Sequence, residues 1–321
     1  EMKCASLFSG CGGADAGMAM AGFKPVFGLE YDRAIAGLFQ LNHPAELLCS
    51  DILNVNVNSI PSVELLWVSP PCPSFSIANR KRGETANDIA LASHIAMLMV
   101  GANPRHIAIE NVPGYVQSHS FGILHTALVL AGYKVDSAIY NAANYGVPQT
   151  RRRLIVRASR DNWEPVIPTH SQDIEQLSLF GSPKPWQTWL EAIEGIQLEA
   201  GWLTENQRKA IAITPQNLLI ERAGYRGKPK FWQAEPAPTI RSHIHYDGKG
   251  CFRTAYNLLR SGQCLKANIQ CLAAWQSFPI TYKWGNRKTT AAKAIGNAVP
   301  PLLAEAIARS FLNGKSDTCK F

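Results

Sequence analysis

The sequence predicts a doubly wound, mostly parallel α/β sheet joined to a smaller, irregular domain. Three observations predict it. Over the first 160 residues, short apolar runs alternate with helical patterns, as in strands connected by helical crossovers. From 161 to 262, prolines at 165, 168, 183, 185, 215, 229, 236 and 238 break every period, and aromatics interleave with Lys and Arg. From 263 the α/β style resumes. The expected division is therefore 1–160 plus 263–321 as one domain and 161–262 as the other.

The strand-like runs are "KCASLF" (3–8), "KPVFGLE" (24–30), "ELLWVS" (64–69), "HIAIEN" (106–111), "KVDSAIY" (134–140) and "RRLIVRA" (152–158). Helical patterns lie at 88–101 and at 121–132, the second stopped by Gly132. Near the end, "KTTAAKAIGNAVPPLLAEAIARSFL" (288–312) closes in an amphipathic helix that Pro300 or Pro301 can start. In such sheets, ligands bind at the carboxyl ends of the strands.

An apolar content of 46% supports a sizeable core, and charged or turn-forming residues interrupt every apolar stretch. A soluble protein with no membrane partner is expected. Eight cysteines (4, 11, 49, 72, 251, 264, 271 and 319) contain no C-x-x-C pair and read as reduced thiols of a cytoplasmic protein. Cys264 and Cys271 are spaced to share one helix face. The net charge of +8 is uneven: 14 Lys and Arg stand against 4 Asp and Glu between 200 and 290, a net of +10, and the remainder sums to −2. A polyanion surface on that basic segment is the implication.

The residues that bear chemistry fall at predicted strand ends. "LFSGCGGADAG" (7–17) is a glycine-rich strand–turn–helix in which Gly10, Gly12 and Gly13 let the backbone turn tightly and approach a ligand. About twenty residues on, "GLEYD" (28–32) places Glu30 where it can hold ribose hydroxyls. "CSDIL" (49–53) adds Asp51 and Ile52, an acid for an adenine amino group and an apolar side chain for the ring. Together they form one adenosyl pocket. "WVSPPCPSFS" (67–76) mounts Cys72 between prolines that fix the backbone, as a directed thiol requires and a buried one does not. "IENV" (109–112) puts Glu110 at the next strand end. In "YGVPQTRRRLIV" (145–156), Arg151 and Arg153 alternate onto one face. They can bind a phosphate, clamp a substrate or orient Glu110.

In this order, these segments resemble one family, the DNA (cytosine-5)-methyltransferases. The resemblance runs along the whole chain apart from the irregular middle. "LFSGCGG" is similar to the family's S-adenosylmethionine loop (Phe8, Ser9, Gly10, Gly12, Gly13), "EYD" to its ribose-binding acid Glu30 and adenine-stacking aromatic Tyr31, and "PPC" to its Pro71–Cys72 nucleophile. "ENV", "QTRRR" and "GNAVP", with Asn297 and Val299, match its remaining motifs. Two departures stand out. Pro73 replaces the usual glutamine and is expected to alter the loop that follows. "AAWQSFP" (273–279) lacks the arginine and glycine of the usual Arg-Leu-Gln-Gly-Phe-Pro, so a different packing between domains is expected.

The resemblance implies a Rossmann-like S-adenosylmethionine-dependent fold with a DNA-recognition domain. The implied reaction methylates C5 of a flipped-out cytosine in a specific duplex sequence through a Cys72–C6 adduct. Glu110 would hold the N3 and amino edge, Arg153 would brace the ring, and Arg151 would position Glu110 or the ring. In the loop after Cys72, Ser74, Ser76, Arg80, Lys81 and Arg82 would meet DNA. In the irregular region, Arg226, Lys228, Thr239 and Arg241 would supply phosphate and groove contacts, Thr239–Ile240 resembling a threonine-plus-aliphatic element of such regions. His243, His245 and Asp247 alternate, but the chemistry needs no metal and none is expected. The implied setting is a monomer in prokaryotic cytoplasm, at the nucleoid when on DNA, with a cognate restriction endonuclease acting separately. The alternatives are the same chemistry on RNA, a cofactor-binding protein without catalysis, and a dinucleotide oxidoreductase. The first would want a Cys-Phe-Thr element and the last G-x-G-x-x-G, and neither is present.

Overall fold

The computed structural model describes residues 1–71, 83–172, 183–212, 218–222, 230–232, 235–240, 256–260 and 263–312. The chain divides into two compact units, one of 1–142, 152–167 and 299–321, the other of 143–151 and 168–298. Segment 263–298 thus clusters with the second unit.

In the first unit the elements run β1 (Lys3–Leu7), α1 (Gly13–Met20), β2 (Lys24–Glu30), α2 (Arg33–Gln40), β3 (Glu46–Cys49), β4 (Leu65–Val68), α3 (Ala86–Ala102), β5 (His106–Asn111), α4 (His119–Leu130) and β6 (Lys134–Asn141). After β7 (Gln149–Thr150) in the second unit, β8 (Arg152–Ser159) returns to the first. Each strand-like run of the sequence forms a strand of the main sheet. Their order is β3-β2-β1-β4-β5-β8-β6. The first five strands pair in parallel, and β8 runs antiparallel to both β5 and β6. Crossover helices cover both faces of a parallel sheet, which is why β4 and β5 are buried at every position instead of alternating.

Strand order reverses at β1, where β2 and β3 extend one way and β4 and β5 the other. That switch point is where open α/β sheets bind ligands. Leu7, Phe27, Leu29, Leu66, Val68, Ile107 and Ile109 fill the core beneath it. The helix ends follow local chemistry. Thr85 and Asp88 form a capping box at the start of α3, and Ser118 caps α4. Gly132 takes φ +84° just past α4, as the stop signal anticipated.

The second unit contains β9 (His170–Ser171), β10 (Lys184–Pro185), β11 (Glu199–Gly201), α5 (Glu205–Ala212), β12 (Leu218–Arg222), β13 (Lys230–Trp232), β14 (Ala237–Pro238), β15 (Tyr256–Arg260), β16 (Gln263–Lys266), α6 (Ile269–Trp275) and α7 (Lys288–Asn297). An antiparallel sheet, β11-β16-β15-β12-β13, sits within a region whose prolines masked any strand period. Cys264 and Cys271 are both buried, but they do not share a helix. Asn268 caps α6, its side chain accepting from the Cys271 N–H, so Cys264 is left on β16.

The last helix, α8 (Pro301–Leu312), begins at Pro301 as anticipated and packs on α1 in the first unit. Gly17 is the point of closest approach. A Cβ there would collide with the Pro301 carbonyl and lie 2.5 Å from Ala304 Cβ. No helix among the described residues is long and apolar enough to cross a membrane.

Candidate active site

The turn after β1 is built from unusual backbone. Phe8 adopts φ +60°, a left-handed conformation that costs a bulky residue energy and marks a constrained site. Gly10 and Gly12 follow at φ +58° and +90°, and the Gly12 N–H donates to the Ser9 carbonyl at 2.9 Å. Gly12 is the N-cap of α1 and offers no side-chain acceptor. The N-cap position therefore contributes no side-chain cap to the start of α1, and Asp15 in the first turn bonds its own N–H.

Glu30, at the end of β2, turns back to this loop. Its Oε2 accepts from Gly10 N–H at 2.9 Å and its Oε1 from Asp32 N–H at 2.8 Å. Each oxygen keeps lone-pair capacity for a hydroxyl. Tyr31 beside it is 72% exposed, a large ring left in solvent at a strand end. Asp51 accepts from Leu53 N–H at 3.0 Å and is half-buried, whereas Ile52 belongs to the core cluster. Gly28 lets Ser9 sit against β2, since a Cβ there would lie 2.9 Å from Ser9 Oγ and 2.8 Å from Phe39 Cζ.

Three residues not anticipated from sequence secure this loop. Ser6 Oγ lies 2.9 Å from both Asp15 carboxylate oxygens and 2.7 Å from Ser9 Oγ, and all three side chains are buried. Burial pushes the Asp15 carboxyl up to about 7, against the opposing pull of the Ser6 bond. His43, just past α2, hydrogen-bonds the Gly12 backbone, and burial holds its imidazole down at about 4. In sequence, Asp15 reads as an ordinary acid in the first turn of a helix. Only its burial marks it out.

Across the switch point, β4 leads to Ser69, Pro70 and Pro71. The Asn111 amide donates to the Pro70 carbonyl at 3.3 Å, tying the end of β5 to the segment that precedes Cys72. Nothing in "IENV" itself signals this role for Asn111, whose partner is distant in sequence. One residue earlier, Glu110 Oε1 pairs with Arg153 Nε at 2.8 Å, with side chains 9% and 14% exposed. The antiparallel register of β5 and β8 aligns Glu110 with Ile155 and so brings Arg153 to the strand end. Arg153 Nη1 also donates to the Arg152 carbonyl at 2.8 Å.

Arg151 takes a different course from the shared face expected of it. It is 1% exposed in the second unit, and donates to the carbonyls of Ile240 at 3.2 Å, Gly296 at 3.1 Å and Ala298 at 3.0 Å. The alternation fails because β8 starts at Arg152 and Arg151 follows the short strand β7. Gln149 joins the same buried network, donating to the Trp275 carbonyl and to Gln276 Oε1 and accepting from Ile240 N–H. Thr239 uses its hydroxyl to bond the Thr150 carbonyl at 2.6 Å. Asn297 is exposed at the end of α7, and Val299 is buried in the first unit. Cys72, Ser74, Ser76, Arg80, Lys81, Arg82, Arg226, Lys228 and Arg241 lie outside the described residues, as do His243, His245 and Asp247.

A profile of C-5 cytosine-specific DNA methylases matches residues 2–246 and 265–313, nearly the whole chain. The chain belongs to this family. As a DNA cytosine-5-methyltransferase it is an enzyme of a class that methylates cytosine at the expense of S-adenosylmethionine. Among curated relatives, the Type II methyltransferase M.Bsp6I of Bacillus sp. (strain RFL6) is 33% identical over 77% of this chain and 79% of its own. M.NgoPII of Neisseria gonorrhoeae is 28% identical over 96% and 94%. Among solved structures, a protein encoded within an E. coli prophage and described as a DNA modification methyltransferase superposes with a TM-score of 0.68 at 18% identity, over 97% of this chain and 98% of the other. S. pombe Dnmt2 methyltransferase does so at 0.63 and 17%, over 96% and 98%. These structures share the methyltransferase fold.

Proposed function

We propose that this enzyme methylates C5 of a flipped-out cytosine within a specific duplex DNA sequence through a covalent Cys72–C6 adduct, yielding 5-methylcytosine and S-adenosylhomocysteine. The observation that carries the proposal is the buried Glu110–Arg153 pair at the carboxyl end of β5, beside the strand that Asn111 ties to Pro70. A thiolate at Cys72 attacks C6 and turns C5 into an enamine carbon. Glu110 hydrogen-bonds the N3 and amino edge and so favours proton gain at N3 as charge develops there. Arg153 orients Glu110 and braces the ring. Arg151 fixes the backbone of Ile240, Gly296 and Ala298 within the second unit. After C5 is methylated, loss of the C5 proton and of Cys72 restores aromaticity.

The loop fits the cofactor on its own geometry. The N-cap position of α1 contributes no side-chain cap, Gly10 has open space beside it, Glu30 presents a carboxylate and Tyr31 an exposed ring. S-Adenosylmethionine supplies an electrophilic methyl carbon when bound. Phe8, Ser9, Gly10, Gly12, Gly13, Glu30, Tyr31, Asp51, Ile52, Pro71 and Val299, all in the first unit, would hold it. The basic segment of 161–262, with Thr239 among its contacts, would read the DNA. A monomer working in bacterial cytoplasm, with a restriction endonuclease acting separately, completes the proposal.

Transfer of tritiated methyl groups to mixed-sequence duplex DNA tests it, with Cys72→Ala in parallel and 5-fluorocytosine DNA as a trap. Label in 5-methylcytosine with the wild type alone, and a denaturation-resistant adduct that requires Cys72, are expected. Cofactor binding without label in DNA would overturn the DNA assignment, and RNA would be the next substrate.

A further inference from the structure

The catalytic proposal leaves one buried ionisable group unused. Asp15 is fully buried on α1, within hydrogen-bond reach of Ser6 Oγ through both carboxylate oxygens, and Ser6 Oγ reaches Ser9 Oγ at 2.7 Å. Ser9 in turn accepts from Leu29 N–H at 2.8 Å and lies 3.1–3.2 Å from the Ser6 and Leu29 carbonyls. This chain of oxygens runs from α1, under the glycine turn, to β2. We propose that Asp15, acting through Ser6 and Ser9, is a positioning residue for the cofactor loop, and that its ionised form holds the loop in its binding geometry. The inference rests on the assignment of that loop to S-adenosylmethionine.

The polarity of the chain decides the effect. With Asp15 ionised, Ser6 donates to the carboxylate and Ser9 donates to Ser6. Ser9 still accepts from Leu29 N–H, and the row is headed by a bond to a charged carboxylate, although Ser9 then donates to neither nearby carbonyl. With Asp15 protonated, the carboxyl donates to Ser6, Ser6 donates to Ser9, and Ser9 donates to the Ser6 or Leu29 carbonyl, a complete row without charge assistance. The charge-assisted arrangement is the stronger one. Burial pushes Asp15 up to about 7, so the two forms exchange within the working range.

The groups that face it come from β1, the loop, β2, the chain just past α2, and α8. His43, on the Gly12 side, is held at about 4 and remains neutral. Cys4 on β1 and Cys11 in the loop are pushed up by burial and remain thiols. Glu30 on β2 is engaged by Gly10 and Asp32. From α8, Glu305 and Arg309 pair with each other beside Gly17 and Met20, further along α1.

Calorimetric binding of S-adenosylhomocysteine between pH 6 and pH 8.5 tests the inference on the wild type, Asp15→Asn and Ser6→Ala. Wild-type affinity should fall about fivefold toward pH 6, the difference between a charge-assisted and a neutral hydrogen bond. Asp15→Asn should bind about fivefold more weakly at pH 8.5, with that pH dependence gone, yet melt at a higher temperature there. A variant that merely loosened the fold would lose affinity and stability together. The ligand's own amino group titrates equally against all three proteins. Parallel pH profiles for wild type and Asp15→Asn would overturn the inference while leaving the cofactor assignment intact. Absence of binding by the wild type at every pH would overturn both. If Asp15→Asn fails to fold, Ser6→Ala carries the test, since it breaks the same chain and should also flatten the profile.

Discussion

Glu110 and Arg153 form a short, mostly buried ion pair, and breaking such a pair leaves one charge without its partner. Arg153→Ala should lower kcat by about 10²-fold or more, and Arg153→Lys should recover little of it because the planar fork is lost. Single-turnover methyl transfer would measure both. Asp15 supplies a stability prediction of opposite sign to the usual carboxylate. Its folded value, about 7, lies above the ordinary 3.8, so the folded state holds an extra proton between the two. The stability deficit is absent below pH 4, grows as pH rises toward 7 and then levels off. Asp15→Asn should therefore stabilise the protein at pH 8, on the order of a few kcal/mol, and change little at pH 4, as denaturant titrations would show. Ser277 is a third case. It follows α6 at φ +64°, with Phe278 N–H donating to the Ala273 carbonyl and Ser277 N–H to Ala274, the Schellman arrangement that favours glycine. The departure noted in "AAWQSFP" thus falls on a left-handed residue. Ser277→Gly should stabilise by about 1 kcal/mol, read as a raised melting temperature.

Among elements, β2 shows how a single small residue joins sheet to loop. Gly28→Val would drive side-chain atoms into Ser9 and Phe39 at contacts already below 3 Å for a Cβ. Loss of about 2 kcal/mol of stability is expected, together with weaker cofactor binding, both accessible from ligand-dependent thermal shifts. The strands and helices of the first unit were legible because their apolar runs and caps are local signals. The ties between elements were not. Asn111 to Pro70 spans 41 residues and His43 to Gly12 spans three elements, and nothing in either residue's neighbourhood announces its partner. The second unit's antiparallel sheet escaped for the opposite reason, since prolines and interleaved charge hid short strands whose pairing is non-local. Arg151 was assigned by alternation, which holds within a strand and fails where the strand begins one residue later.

For the whole molecule, charge is the coarsest and most testable feature. The net of +10 between 200 and 290 predicts DNA binding that weakens about a thousandfold between about 50 and about 200 mM salt, given about six phosphate contacts. Fluorescence anisotropy on a duplex would give the slope, and a flat one would remove this segment from the DNA. The packing of α1 against α8 has a different kind of consequence. Gly17 is fitted to Pro301 and Ala304, which the ribosome adds roughly 280 residues later. At about 5–20 residues per second, the nascent α1 waits roughly 15–55 s for the helix that covers it. The helix that follows the glycine turn is thus made long before its support. Methyl-donor capture should therefore wait until α8 has been made and has docked on α1.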